Sequence, residues 1–206
     1  MKSVLISIQP KWCELIASGK KTVEVRKTKP KLKTPFKVYI YCTYGQGLIE
    51  NNDICYPNML LEQKVSKNAI WGNCCNGKVI GEFVCDKIFE IEYQCGSYRC
   101  KGLTVLENDR VASASKLSLC DMRSYLSCNN GYGWHISDLV IYDKPRELGE
   151  FSRKCEKTPC EGCEHLKYQG VNSAEYDYDC EFLGNRIPIT RPPQSWCYVE
   201  SEVEGK

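Results

Sequence analysis

Apolar residues dominate the run Val4-Leu5-Ile6-Ser7-Ile8, which predicts a buried strand. Pro10 then occupies a first helical position, where its missing N–H is no loss. Trp12, Leu15 and Ile16 recur at helical spacing up to Ser18, and Gly19 follows as a left-handed stop. The next segment, Thr22-Val23-Glu24-Val25-Arg26, alternates strictly: Val23 and Val25 face one way, and Thr22, Glu24 and Arg26 the other. The Lys/Pro-rich stretch 27–35 cannot be a central strand and is expected to be an exposed loop before a strand over 36–42. Residues 44–77 read as an insertion with a helix over 59–69. The pattern then predicts a strand region over 78–92 that bends near Asp86, and a helix over 117–127 carrying Leu119, Met122 and Leu126. Gly131-Tyr132-Gly133 is expected to be a break before a strand over 134–142. That strand should end at Asp143-Lys144-Pro145, followed by a short helical turn over 146–151 and a last strand over 195–199.

Many short strands with few helices predict an α+β fold built on a mixed β-barrel, with short flanking helices, rather than a doubly wound sheet. At 206 residues, 42% of them hydrophobic and 26% charged, the chain can bury a core of its own, and one decorated domain over 1–206 is expected. Neither common glycine-rich phosphate loop is present, which argues against a nucleoside triphosphatase or a dinucleotide enzyme. No internal repeat and no apolar run of about 18 residues is found, so no membrane span is expected.

Charge changes this picture, because the net +2 hides an asymmetry. Residues 1–44 hold ten Lys or Arg against two acids, whereas 45–143 and 144–206 each hold nine against twelve. Positive potential is therefore concentrated at the start of the chain, where it suits an anionic partner. Fifteen cysteines would suggest a disulfide scaffold in a secreted protein, but the first residues lack a secretory signal pattern. A cytoplasmic chain with mostly reduced thiols is expected.

The candidate chemistry is concentrated in residues 6–26. The start of the helix near Pro10 is expected to offer backbone N–H groups to an anion, and Lys21, Glu24 and Arg26 place two cations and a carboxylate beside it. Such a face suits a phosphate and a base edge together. Trp12 either stacks on a base or fills core, and Tyr41 and Tyr44 are further stacking candidates. Gly19, Lys21, Glu24 and Arg26 form a Gly-x-Lys-x-x-Glu-x-Arg turn and strand, and with the preceding strand and short helix the segment resembles the opening of ASCH domains. That resemblance implies a PUA-like barrel whose cleft beside the first helix binds RNA or a nucleotide, through Pro10, Trp12, Lys20, Lys21, Glu24 and Arg26. Some small members of the family are amidohydrolases of acylated cytidine with catalytic Lys, Thr and Glu groups. Lys21 matches that lysine, and Glu24 stands at the position of the threonine. The alternative function is thus hydrolysis of N4-acetylcytidine-like nucleosides with Lys21 and Glu24 as catalytic groups; a protein-binding regulator is a third reading.

A second constellation is Cys155-x4-Cys160-x2-Cys163 followed by Cys180, in a polar segment with little core of its own. Four thiolates at such spacing suit tetrahedral zinc, with an iron–sulfur cluster as the alternative, and predict a small metal lobe over 152–187. Cys13, Cys42, Cys85 and Cys197 fall in predicted core elements and read as buried small apolar residues. His135 reads as a hydrogen-bonded structural histidine, and Arg191 and Ser195 lie near a strand start as candidates to reach the cleft.

Overall fold

The computed structural model of the chain describes residues 2–44, 48–50, 53–55, 76–154 and 186–200. Along it run β1 (Lys2–Ile8), α1 (Pro10–Ala17), β2 (Val23–Arg26), β3 (Phe36–Cys42) and a small hairpin of β4 (Leu48–Glu50) and β5 (Asp53–Cys55). There follow β6 (Lys78–Cys85), β7 (Ile88–Gln94), β8 (Ser97–Cys100), α2 (Val105–Ser115) and α3 (Leu119–Leu126). The described chain is completed by β9 (Gly131–His135), β10 (Ser137–Arg146), a 3-10 turn (Leu148–Glu150), β11 (Ser152–Lys154), β12 (Arg186–Pro188) and β13 (Trp196–Glu200). The fold is α+β, mostly sheet with few helices. The predicted helix over 59–69 lies outside the described residues.

Two sheets carry the structure. The first has the order β10-β6-β3-β1-β13 and the second β2-β9-β7-β8. Strand β1 is covered on both faces, which explains why its sequence is an apolar run rather than an alternation. Val4, Ile6 and Ile8 pack into the main core with α1, β3, β6 and Trp134, while Leu5 packs on the other face with Tyr39, Val79 and Phe151. Each fully buried Leu or Ile here stabilises the fold by about 1.5–3 kcal/mol relative to exposure.

The sheets are joined at one corner. The β6–β7 connection turns at Asp86 and Lys87 and the β9–β10 connection at Ile136, so both chain segments pass from one sheet to the other. His135 N donates to Lys87 O at 2.9 Å across this corner, and His135 Nδ1 lies 2.7 Å from Asp86 Oδ1. The bend expected near Asp86 is therefore present. Among the described residues no strand pairing closes the two sheets into the expected barrel, since β13 and β10 remain edges of the first sheet and β2 and β8 of the second.

Other expectations shift in instructive ways. The predicted strand over 134–142 is two strands, and its start moves back to Gly131, so Gly131-Tyr132-Gly133 is strand rather than break. The glycines are there for close approach: a Cβ at Gly131 would lie 2.8 Å from the Leu126 side chain. Strand β10 continues through Pro145 to Arg146, which an edge strand tolerates. The pairing of β11 with β12 brings Lys154 beside Arg186, so the intervening segment leaves and returns at one place. Cys155, Cys160, Cys163 and Cys180 lie in that segment, outside the described residues.

Candidate functional site

Helix α1 is short because its ends are fixed. Pro10 sets its first turn, and Gly19 at φ +72° ends it with N–H donation to Ile16 O at 2.8 Å. Trp12 N and Cys13 N both donate to Gln9 O and Pro10 has no N–H, so of the first helical residues only Lys11 keeps a free donor. The helix start therefore offers an anion fewer donors than expected, Lys11 N–H being the one without a backbone partner among the described residues. The chain then turns through Lys21, whose N–H donates to Leu15 O at 2.9 Å, into β2.

The alternation in β2 is realised. Val25 joins a core cluster with Ile91, Cys100, Met122 and Leu126, while Glu24 and Arg26 point to the opposite face, toward the first sheet. There Lys21, Glu24 and Arg26 converge. Glu24 Oε2 lies 3.3 Å from Lys21 Nζ and its Oε1 lies 2.9 Å from Arg26 Nη2. Arg26 Nη2 also donates to Ser7 O at 2.7 Å, which ties β2 to β1. Lys21 Nζ donates to Ser115 O at 2.5 Å, a carbonyl of the last residue of α2, where a helix favours a cation. Thr22 N donates to Ala114 O at 3.0 Å beside it. The end of α2 thus holds the turn that carries Lys21, a part played by Ser115 that the apolar pattern did not reveal.

Depth is where expectation and structure differ. Lys21 is 1% exposed, and the Glu24 and Arg26 side chains are each 8% exposed. The expected cleft is, among the described residues, a nearly closed cluster in which Glu24 and Arg26 keep only slight exposure. A shallow recess of about 30 Å³ lies on the other side of β2, against Val25, Asn108, Ser115 and Met122. Its volume suits one water and not a nucleobase.

Burial holds the Lys21 ammonium below the ordinary lysine range; Glu24 opposes that shift and Arg26 adds to it. Two cations against one carboxylate leave the cluster one positive charge in excess in a site with little water, which is costly unless it is matched. Two donors on the same face are also unmatched. Arg26 Nε is buried without a hydrogen-bond partner among the described residues, and so is Nε1 of Trp134, which pairs with Glu24 in register. Cys13 forms part of the wall, beside Cys42. Burial, with Cys42 adding, pushes the Cys13 thiol well up, so it is a neutral packing group, and Cys42 and Cys85 are likewise buried as expected.

The remaining candidates are distributed around this centre. Trp12 is half-buried with the ammonium groups of Lys11 and Lys21 at 4.3 and 5.1 Å from its ring centre, so its face is occupied by cations. Pro10 is buried and Lys20 exposed. Tyr41 is 2% exposed, whereas Tyr44 is 80% exposed. Ser195 O accepts from Ser7 N at 2.9 Å, and Arg191 is exposed. His135 is half-exposed and bonded to Asp86, away from the cluster. Among the described residues no group of His, Cys, Asp and Glu is placed to hold a metal ion, and no helix is long and apolar enough to cross a membrane.

Residues 6–43 match the family model of the ASCH domain. The fold is similar to the crystal structure of ASCH from Zymomonas mobilis, with 18% identity and a TM-score of 0.51, over 97% of this chain and 89% of that one. Two mutant forms of that protein, one with a tyrosine replaced by phenylalanine and one with a serine replaced by alanine, also match. Their TM-scores are 0.46 and 0.47, at 18% and 17% identity, over 98% and 97% of this chain and 93% and 89% of theirs. No curated protein matches the sequence. The strand, helix and strand that assemble the cluster thus match the ASCH domain model, and the fold around them is similar to that of an ASCH structure.

Proposed function

We propose that this protein binds RNA or a nucleotide at the basic cluster of a PUA-like fold, with a phosphate or an acceptor edge of the base meeting Arg26 and Glu24 above Lys21. The observation that carries this reading is the excess positive charge of the buried cluster together with the unmatched donors Arg26 Nε and Trp134 Nε1 on one face. An anionic ligand rich in acceptors answers both needs at once. The carboxylate of Glu24 adds an acceptor for an exocyclic amine, which distinguishes a base from a bare phosphate. Trp12 and the exposed Lys20 flank this centre, and the basic first 44 residues supply long-range attraction. ASCH domains are generally associated with RNA binding, in agreement with this reading.

Fluorescence titration with single-stranded RNA and with a nucleoside monophosphate tests it. Arg26→Lys keeps the charge and removes Nε, so it is expected to weaken both ligands on the order of tenfold. Affinity for RNA should fall steeply with salt. Affinity unchanged by Arg26→Lys, or flat across a salt titration, would remove the proposal.

One observation favours a second reading. An ammonium held below its ordinary range, with a carboxylate 3.3 Å away, is the pairing an amidohydrolase needs for proton transfer. On this reading Lys21 and Glu24 cleave the amide of an N4-acetylcytidine-like nucleoside. Release of cytidine that is abolished in Glu24→Gln would support it, and no turnover by micromolar protein would eliminate that substrate. The zinc site at Cys155, Cys160, Cys163 and Cys180 belongs to the same account and rests on sequence spacing.

A further inference from the structure

The loop between β2 and β3 places a lysine at every second position from 27 to 33. Lys27, Lys29, Lys31 and Lys33 are exposed, while Pro30 is buried and Leu32 packs against the main core. Successive lysines on this anchored segment, which bends at Lys27 and Lys31, are two residues or at most about 6.6 Å of chain apart. That step is close to the separation of neighbouring phosphates along a nucleic-acid strand. No acidic residue occurs between Glu24 and Glu50. Lys29 is taken by Glu90 at 2.8 Å, but Lys27, Lys31 and Lys33 pair with no carboxylate among the described residues.

Aromatic rings lie under and beside this comb. Lys27 Nζ stands 5.5 Å from the ring centre of Tyr125 and Lys29 Nζ 5.0 Å from that of Tyr132. Lys31 N donates to Tyr198 Oη at 2.7 Å, and Trp196 Nε1 donates to Thr28 Oγ1 at 3.0 Å, so two β13 side chains fix the loop in place. Tyr125, Tyr132 and Tyr198 are all half-buried, with part of each ring open to solvent. The loop continues directly from Arg26, which makes it the natural exit for a strand whose end is held at the cluster.

We infer that the Lys27–Lys33 edge, with Tyr125 and Tyr132, is a second contact surface for RNA, tracking the backbone of a single strand that extends from the buried cluster. The inference rests on the RNA reading above and adds an extended footprint to it. A phosphate draws each lysine off its ring, and the ring so uncovered stacks on an unpaired base. Paired bases are closed to such stacking, so a single strand fits this edge better than a duplex.

The test compares a single-stranded RNA of about ten nucleotides, a length within the range single-strand sites cover, with uridine monophosphate, on wild type and on the triple variant Lys27→Gln, Lys31→Gln, Lys33→Gln. These side chains are exposed, and an unchanged melting curve confirms the fold. The triple variant is expected to lose on the order of tenfold in oligomer affinity and about 2 in the slope of log K against log salt, since each phosphate contact on a single strand contributes about 0.7. Monophosphate affinity should change far less, by no more than the loss of long-range attraction. Tyr125→Leu should lower oligomer affinity several-fold at unchanged slope. Oligomer affinity and slope unaffected by the triple variant would overturn this inference and leave the cluster reading standing. Failure of wild type to bind the monophosphate, with oligomer binding still reduced in the triple variant, would overturn the cluster reading and leave the lysine edge.

Discussion

Glu24 is the residue on which the cluster turns, because it is the one carboxylate between two buried cations. Its neutralisation in Glu24→Gln leaves Lys21 and Arg26 facing each other without a counter-charge, and is expected to cost about 3–5 kcal/mol. Lys21→Met removes the surplus charge, keeps the Glu24–Arg26 pair and leaves only Ser115 O without its donor, so about 1–2 kcal/mol is expected. Urea unfolding ranks the two, and a larger loss for Lys21→Met would contradict the charge count. Lys21 also gives stability a pH dependence of defined sign. Its native pKa lies below that of an unfolded lysine, so the unfolded chain binds the proton more tightly. The contribution of Lys21 to stability should therefore rise with pH from its native value up to about 10.4, seen as the difference between wild type and Lys21→Met in urea melts at successive pH values. A difference that falls as pH rises would refute the assignment. Glu24 and Arg26 were legible as one face from the alternation of β2, and Lys21 from the Gly-x-Lys-x-x-Glu-x-Arg turn before it. Their depth was not, because whether a polar face meets water or another sheet is decided by β1 and α2, far away in sequence.

At the scale of elements, α2 shows what the apolar pattern leaves out. Its residues contribute little to the core: Val105 and Leu106 are 71% and 63% exposed, and Ser115 is its one buried residue. The signal lies in polar chemistry. Thr104 and Glu107 form a capping box, with Thr104 N donating to Glu107 Oε2 at 2.9 Å, and Ser118 with Asp121 repeats it for α3. Both boxes are visible in the sequence as a hydroxyl residue followed three positions later by an acid. Thr104→Ala should cost about 1 kcal/mol, read as a lowered midpoint in urea. An unchanged midpoint would mean that α2 does not contribute to the folded state through its cap. The two-sheet corner was half legible. The bend at Asp86 interrupts an obvious run, whereas the Ile136 corner lies inside a stretch over 134–142 that reads as one strand, and only the second sheet explains why the chain turns there.

For the molecule as a whole, the basic first segment and the cysteine-rich later one mark its two ends with different chemistry. The α+β class and most strands followed from periodicity, since burial on one or two faces leaves its mark on neighbouring residues. Closure into a barrel depends on which edges pair, and edges carry no such mark; the described strands form two sheets joined at a corner. The β11–β12 ribbon brings the ends of the cysteine segment together, as a small stapled lobe would require. Metal analysis of purified protein should find about one zinc per chain bound through four thiolates, lost on substitution of Cys160 and Cys163 by serine. A brown chromophore would assign an iron–sulfur cluster instead, and protein free of both metals would remove the metal lobe from the account.

Arg26 reports most directly on whether the cluster receives a nucleotide. Its Nε–H is buried and unmatched among the described residues, so the side-chain ¹H–¹⁵N resonance of that group should move as uridine monophosphate is titrated in, and saturate with the same dissociation constant as binding. A nucleotide that saturates the protein while the Arg26 Nε–H resonance stays fixed would place the ligand elsewhere and contradict the assignment of this cluster as its site.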